Sequence, residues 1–319
     1  MSTQQMLSQI TRDQGFIAAL DQSGGSTPGA LRQYGIPDGA YSRDSEMLQL
    51  MHQFRVRIMT SPTFTSARII GAILFEATMD GLVQGKSVPE FLWKDRGIVP
   101  FLKVDKGLEA VSSGVRLMKP NPGLEPLLER ARSMGIFGTK MRSVIDANVA
   151  AGISGVVRQQ FDVGAQITAA GMMPILEPEV SIGIPDKASA EMTLRDEIRA
   201  RLDTLPAESQ IMIKLTIPDV PDFYRSLIEH PRVARVVALS GGYSRVQACQ
   251  KLAANPGLIA SFSRALIDDL RFASSDEQFN RDLESAIKEI YAASIYGNID
   301  QVPLLHAACI DSSLKQQPL

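Results

Sequence analysis

Three pairs of ionisable side chains stand two residues apart inside otherwise apolar runs: Lys103 and Asp105 in VPFLKVD, Lys140 and Arg142 in IFGTKMR, Glu177 and Glu179 in MMPILEPE. A period of two puts both members of each pair on one face of a β-strand. In a parallel sheet covered by helices, charges on the outward face would be buried against apolar surface at a cost of several kcal/mol each. They are therefore expected to point inward near the C-terminal strand ends, where strands remote in sequence can pool their side chains into one site. Asp21, Lys214 and Arg264, from the other strands, are expected to join them. The pooled set holds five cations and four carboxylates, a surplus of one positive charge that suits an anionic ligand.

The residue types allow carbonyl chemistry. A nucleophilic lysine must present a neutral amine, which burial and adjoining cations favour. Lys214, in IMIKLTIP, is expected in that setting close to Lys140 and Arg142, with Glu177 and Asp21 as proton carriers. Two glycine-serine turns suggest where an anion would sit. Ser240-Gly241-Gly242 and the Ser261 to Arg264 segment follow the last two strand candidates, a position where barrels hold phosphate on backbone N–H groups. Ser23-Gly24-Gly25-Ser26, after the first strand candidate, is a second such turn, so a ligand with a phosphate at each end would span the mouth.

The elements that must position these groups follow from periodicity. Eight strands are expected, at residues 15–21, 71–76, 99–105, 136–142, 172–179, 211–216, 233–240 and 258–263. Amphipathic stretches at 123–134, 154–170, 188–205 and 243–254 are long enough to be crossover helices. Alternating β and α elements predict an α/β fold, a single-domain (β/α)8 TIM barrel over residues 1–297, with 298–319 as a C-terminal tail. A chain of 319 residues is compatible with that architecture.

Composition narrows the partners. A formal charge of -2 gives no overall positive field for nucleic acid or an anionic membrane. No uncharged apolar run reaches the roughly 18 residues of a membrane span, and the first residues lack the pattern of a secretory signal. Cys249 and Cys309, far apart, suggest neither a disulfide framework nor a thiolate metal site, and a reducing cytoplasm is expected. With only His52, His230 and His306 available, no metal and no cofactor are expected.

The segments FIAALDQSGGS, FLKVDKG, TKMRS, PILEPEV, IKLTIP, LSGGYS and SFSRAL, in this order, resemble the class I fructose-bisphosphate aldolases over roughly residues 10 to 297. The resemblance implies reversible cleavage of fructose 1,6-bisphosphate to dihydroxyacetone phosphate and glyceraldehyde 3-phosphate in glycolysis and gluconeogenesis. It implies Lys214 as the Schiff-base lysine, Glu177 as the main acid/base and Asp21 as the group assisting carbon–carbon cleavage, with Lys140 and Glu179 orienting them. It further implies Ser240, Gly241 and Arg264 at the C1 phosphate, Ser23, Ser26 and Lys103 at the C6 phosphate, and Arg142 positioning the substrate.

The sequence departs from the animal enzymes at Gly29 and Ala30, where they carry Lys-Arg, at Gln22, where they carry glutamate, and at Ser263, where they carry glycine. Alternative expectations are an aldolase for tagatose 1,6-bisphosphate and a non-catalytic sugar-phosphate-binding scaffold. Association of several copies is compatible with a barrel. Asp105 is the pooled charge best suited to a structural ion pair, while Tyr243, Phe262, Met172 and Met173 read as packing residues.

Overall fold

The computed structural model describes residues 3–23 and 25–295. Eight parallel strands run in chain order around one sheet: β1 (Phe16–Leu20), β2 (Ile69–Leu74), β3 (Val99–Lys103), β4 (Gly138–Ile145), β5 (Met173–Val180), β6 (Ile211–Thr216), β7 (Val233–Leu239) and β8 (Ile259–Ala260). Between the first and last strands, Ala19 N–H donates to the Phe262 carbonyl at 3.0 Å, bringing the two ends of the sheet together. The longer helices are α1 (Thr3–Arg12), α2 (Ser26–Tyr34), α3 (Asp44–Thr60), α4 (Val88–Arg96), α5 (Leu124–Ser133), α6 (Ala150–Ala169), α7 (Lys187–Leu202), α8 (Arg245–Ala253) and α9 (Asp276–Ile295). The architecture is a (β/α)8 TIM barrel in a single domain.

Alternation along the strands sorts the core into two parts. One face carries Ile17, Ala19, Ile73, Val99, Phe101, Ile175, Met212, Val237 and Ile259, which pack together as the barrel interior. The other face, with Leu20, Leu102, Leu176 and Leu215 among others, packs with the surrounding helices in a larger cluster. Helix α1 fits the interior from below, because Met6 and Ile10, one turn apart, project into it. Gln9 Nε2 donates to the Ile70 and Gly97 carbonyls at 2.9 and 2.7 Å, and Arg235 Nε to the Ile10 carbonyl at 2.9 Å. The N-terminal end of the barrel is thereby stoppered.

Small residues make room for the large ones inside. A Cβ on Gly138 would fall 2.2 Å from the Met173 carbonyl oxygen and 2.8 Å from the Phe101 ring. The backbone contact cannot be relieved by a rotamer change, so Gly138→Ala is expected to destabilise the fold by about 3 kcal/mol in urea denaturation. A loss under about 0.5 kcal/mol would show that the barrel wall yields there.

The structure shifts several expected boundaries. β4 continues to Ile145, past the expected end at Arg142, because its parallel ladder with β5 runs on to Val180 and Val115 and Arg116 add an antiparallel pairing on its other side. β8 is much shorter than 258–263: Ser261 N–H still donates to the Ala238 carbonyl, but the chain turns at Ser263 into a short helix, Arg264–Ile267. Helix α6 begins at Ala150, ahead of the expected 154. The tail expected over 298–319 lies outside the described residues.

Candidate active site

Extending the interior face by one alternation places the ionisable groups. Two residues beyond Ala19, Phe101, Gly138, Ile175, Met212 and Ile259 stand Asp21, Lys103, Lys140, Glu177, Lys214 and Ser261. All of these line one open cavity of about 670 Å³ at the C-terminal ends of the strands, together with Ser23, Ser26, Arg142, Glu179, Ser240, Gly241 and Arg264. Every residue singled out from the sequence as a candidate is thus brought to one cleft.

At its floor the charges alternate. Lys140 Nζ lies 2.7 Å from Asp21 Oδ2 and 2.8 Å from Glu177 Oε2, while Lys214 Nζ lies 3.0 Å from Glu177 Oε1. All four side chains are buried. Burial raises the Asp21 pKa, but Lys140 and then Lys214 outweigh it and take the carboxyl from an ordinary 3.8 to about 2. Burial likewise opposes the charge on Glu177, and the same two lysines hold it below the usual range. For Lys140, burial works against the ammonium but Asp21 and Glu177 prevail, so its pKa is raised and it stays a cation. Two carboxylates thus engage Lys140 and one engages Lys214.

Higher in the cleft, Lys103 pairs with Asp105 at 2.6 Å, and Arg142 Nε with Glu179 Oε2 at 2.5 Å. Burial opposes the Arg142 charge, but its hydrogen bond to Glu179 raises its pKa. Asp105 also accepts from the Arg142 and Gly107 backbone N–H groups, at 3.2 and 3.3 Å. These pairings balance every pooled charge except one. Arg264 has no carboxylate within ion-pair distance among the described residues, so the surplus cation is localised at one end.

That end also carries the better anion-binding backbone. Gly241 and Gly242 have φ of 61° and 116°, and a Cβ on Gly241 would meet Ile182 at 2.7 Å, so only glycine fits comfortably there. Successive N–H groups in such a turn form an anion-binding concavity. Ser261 Oγ, buried in the cleft wall, has no hydrogen-bond partner. At the opposite end, Ser26 Oγ donates to the Ser23 carbonyl at 2.9 Å and accepts from Ser23 N–H at 3.1 Å, serving its own turn.

A family model for class-I fructose-bisphosphate aldolase matches residues 7–193. A protein from Porphyromonas gingivalis described as fructose-bisphosphate aldolase class 1 is 52% identical over 291 residues, covering 91% of this chain and 99% of the relative. The chain belongs to the class I fructose-bisphosphate aldolase family. Its fold is shared with a fructose-bisphosphate aldolase from Plasmodium falciparum, solved in a ternary complex with TRAP and a small-molecule inhibitor. The two agree with a TM-score of 0.73 at 18% identity, over 92% of this chain and 94% of that one.

Four positions singled out by the resemblance, Gln22, Gly29, Ala30 and Ser263, line the cleft. Helix α2 presents Gly29, Ala30 and Gln33 to it, while the nearby Arg32 turns away to Asp38 at 2.8 Å, so α2 adds no cation. Gln22 and Ser263 line the wall between Asp21 and Arg264 and are hydrogen-bonded to each other at 2.7 Å. Beneath them is Arg55, which the sequence analysis passed over. Its guanidinium is fully buried, and Nη2 donates to the Gln22 carbonyl at 2.5 Å and Nη1 to Thr78 Oγ1 at 2.6 Å. Burial lowers its pKa to about 10, with Asp21 opposing. One signal could have exposed it: Arg55 falls on the apolar stripe of α3, between Met51 and Phe54 on one side and Ile58 and Met59 on the other.

No helix among the described residues is long and apolar enough to cross a membrane. Among the same residues, no group of three or more His, Cys, Asp or Glu side chains converges as a metal site. His230 faces Asp203 and His52 the Leu82 carbonyl, and neither lines the cleft.

Proposed function

We propose that this carbon–carbon lyase cleaves fructose 1,6-bisphosphate reversibly to dihydroxyacetone phosphate and glyceraldehyde 3-phosphate through an imine on Lys214, in glycolysis and gluconeogenesis. The observation that carries the proposal is Glu177 bridging two buried lysines of unequal company, with Asp21 on the far side of Lys140. Lys140, held by two carboxylates, is the fixed cation. Lys214, held by one, can pass a proton to Glu177 and attack the C2 carbonyl as the amine. Glu177 then protonates the carbinolamine oxygen, water leaves, and the protonated imine withdraws electrons from C3.

Asp21 accepts the C4 hydroxyl proton as the C3–C4 bond breaks, its electron pair moving to C3 to give the enamine while the aldehyde departs. Protonation at C3 and hydrolysis of the imine release the second triose phosphate and restore Lys214. Arg264 with Ser240, Gly241 and Ser261 holds the C1 phosphate. Lys103, Ser23 and Ser26 hold the C6 phosphate, and Arg142, set by Glu179, positions the chain between them. A cytoplasmic setting goes with this reading, since the half-buried Cys249 is free.

The test is incubation with fructose 1,6-bisphosphate in excess EDTA, with triose phosphate release followed by borohydride trapping and peptide mass spectrometry. Turnover with a reduced adduct on Lys214 is expected. A folded protein giving neither would overturn the reaction, and an adduct on another lysine would overturn the site. The C4 epimer tagatose 1,6-bisphosphate, run alongside, measures stereochemical preference.

A further inference from the structure

Arg55, Gln22 and Ser263 form a chain of polar groups whose direction is set by chemistry. A guanidinium has donors and no acceptor. Arg55 Nη2, 3.4 Å from Gln22 Oε1 and bonded to the Gln22 carbonyl, therefore requires the amide oxygen of Gln22 on its side. The amide nitrogen must then face Ser263, and Gln22 Nε2 donates to Ser263 Oγ at 2.7 Å. With Oγ accepting from Gln22, the serine keeps its own hydrogen to donate elsewhere. Ser263 lines the cleft immediately before Arg264, the one pooled cation without a carboxylate.

We propose that the Ser263 hydroxyl is a further donor to the substrate phosphate held by Arg264, and that Gln22, itself oriented by buried Arg55, is the positioning residue that turns the hydroxyl toward the anion. This rests on the assignment of the Arg264 end as a phosphate site. A carboxylate at position 22 has no hydrogen to give, so it would accept from Ser263 and turn the hydroxyl's lone pairs toward the phosphate. Beside a glutamate, glycine at 263 serves an anion better than serine; beside Gln22, serine serves it better.

The test is a double-mutant cycle of Gln22→Glu and Ser263→Gly read in the affinity for inorganic phosphate by calorimetry, with KM and kcat for fructose 1,6-bisphosphate and the thermal midpoint alongside. In the native background, Ser263→Gly is expected to weaken phosphate binding and raise KM about 5-fold with kcat little changed. In the Gln22→Glu background the same change is expected to leave binding unchanged or tighten it. Ser263→Ala, which keeps the backbone restraint that glycine removes, should reproduce the native-background loss.

An equal effect of Ser263→Gly in both backgrounds, or no effect of Ser263→Ala in the native one, would overturn the proposal. A shift in thermal midpoint without a change in phosphate affinity would make the chain merely structural and overturn it too. Since phosphate binding is read without turnover, a protein that shows the reversal yet fails to cleave the sugar would fault the proposed reaction and leave this inference standing.

Discussion

Lys214→Met is expected to abolish the borohydride-trapped adduct and to lower kcat for fructose 1,6-bisphosphate by at least about 10⁴-fold. Methionine has nearly the length of lysine, and the site it would occupy is buried, one alternation beyond Met212 of the barrel interior. Glu177 keeps its contact with Lys140 at 2.8 Å, so the fold is expected to survive, with a smaller loss of stability than removal of Lys140 brings. Lys214→Arg makes the sharper comparison, because it retains a cation beside Glu177 while offering no amine that can form an imine. The arginine variant should still be protected against heat by the bisphosphate and still fail to turn it over. A protein that only bound sugar phosphates would show no turnover in any form. Activity of Lys214→Met within about 10-fold of the parent would remove Lys214 from the chemistry.

Lys140→Met produces the largest expected change in stability, about 3–5 kcal/mol at neutral pH, with loss of activity. Its removal leaves Asp21 buried with its 2.7 Å partner gone, and Glu177 with Lys214 alone. The pH dependence identifies the cause. In the parent protein the Asp21 pKa is depressed from 3.8 to about 2, so its stabilisation is complete above roughly pH 4 and is lost as pH falls toward 2. That shift corresponds to about 2 kcal/mol.

Without Lys140, burial is opposed chiefly by Lys214, and the Asp21 pKa is expected to rise above 3.8. The sign then inverts, since a buried acid that binds its proton more tightly when folded loses stability as pH rises. Urea denaturation should therefore show the gap between parent and variant widening from pH 4 to pH 7 and narrowing at acid pH. A gap independent of pH would mean that Lys140 contributes through packing alone.

The inward charges were legible in the sequence because strand alternation is strict: two residues past the last interior residue of most strands stands a residue of the cleft. What alternation cannot show is pairing between strands. In the strand register Arg142 stands opposite Glu177, yet its guanidinium pairs with Glu179, while Glu177 is claimed by two lysines. Those choices depend on strand tilt and side-chain reach. The expected cationic surroundings of Lys214 likewise arrive through an intervening carboxylate. Helices α2 and α3 escaped notice for local reasons, one carrying Pro28 and Gly29 near its start and the other burying Arg55 within its apolar face. The eighth strand was overextended because the apolar run through Phe262 continues after regular pairing has stopped.

The hydrogen bond from Ala19 to Phe262 has a consequence for biosynthesis. Emerging from the ribosome, the chain presents its first strand with no partner on one side until residue 262 has also been made. Arg235 reaches back to the Ile10 carbonyl in the same way, so α1, already tied by Gln9 to the Ile70 and Gly97 carbonyls, gains its last clamp only once residue 235 has been translated. Until then the nascent protein exposes an open sheet edge and a cluster of charges lacking part of its wall. Such contacts of high sequence separation make folding slow and leave the partial chain prone to association. The last strand, only two residues long in regular pairing, therefore acts as a late clasp, and lesions near Phe262 should be felt first as loss of yield in the cell.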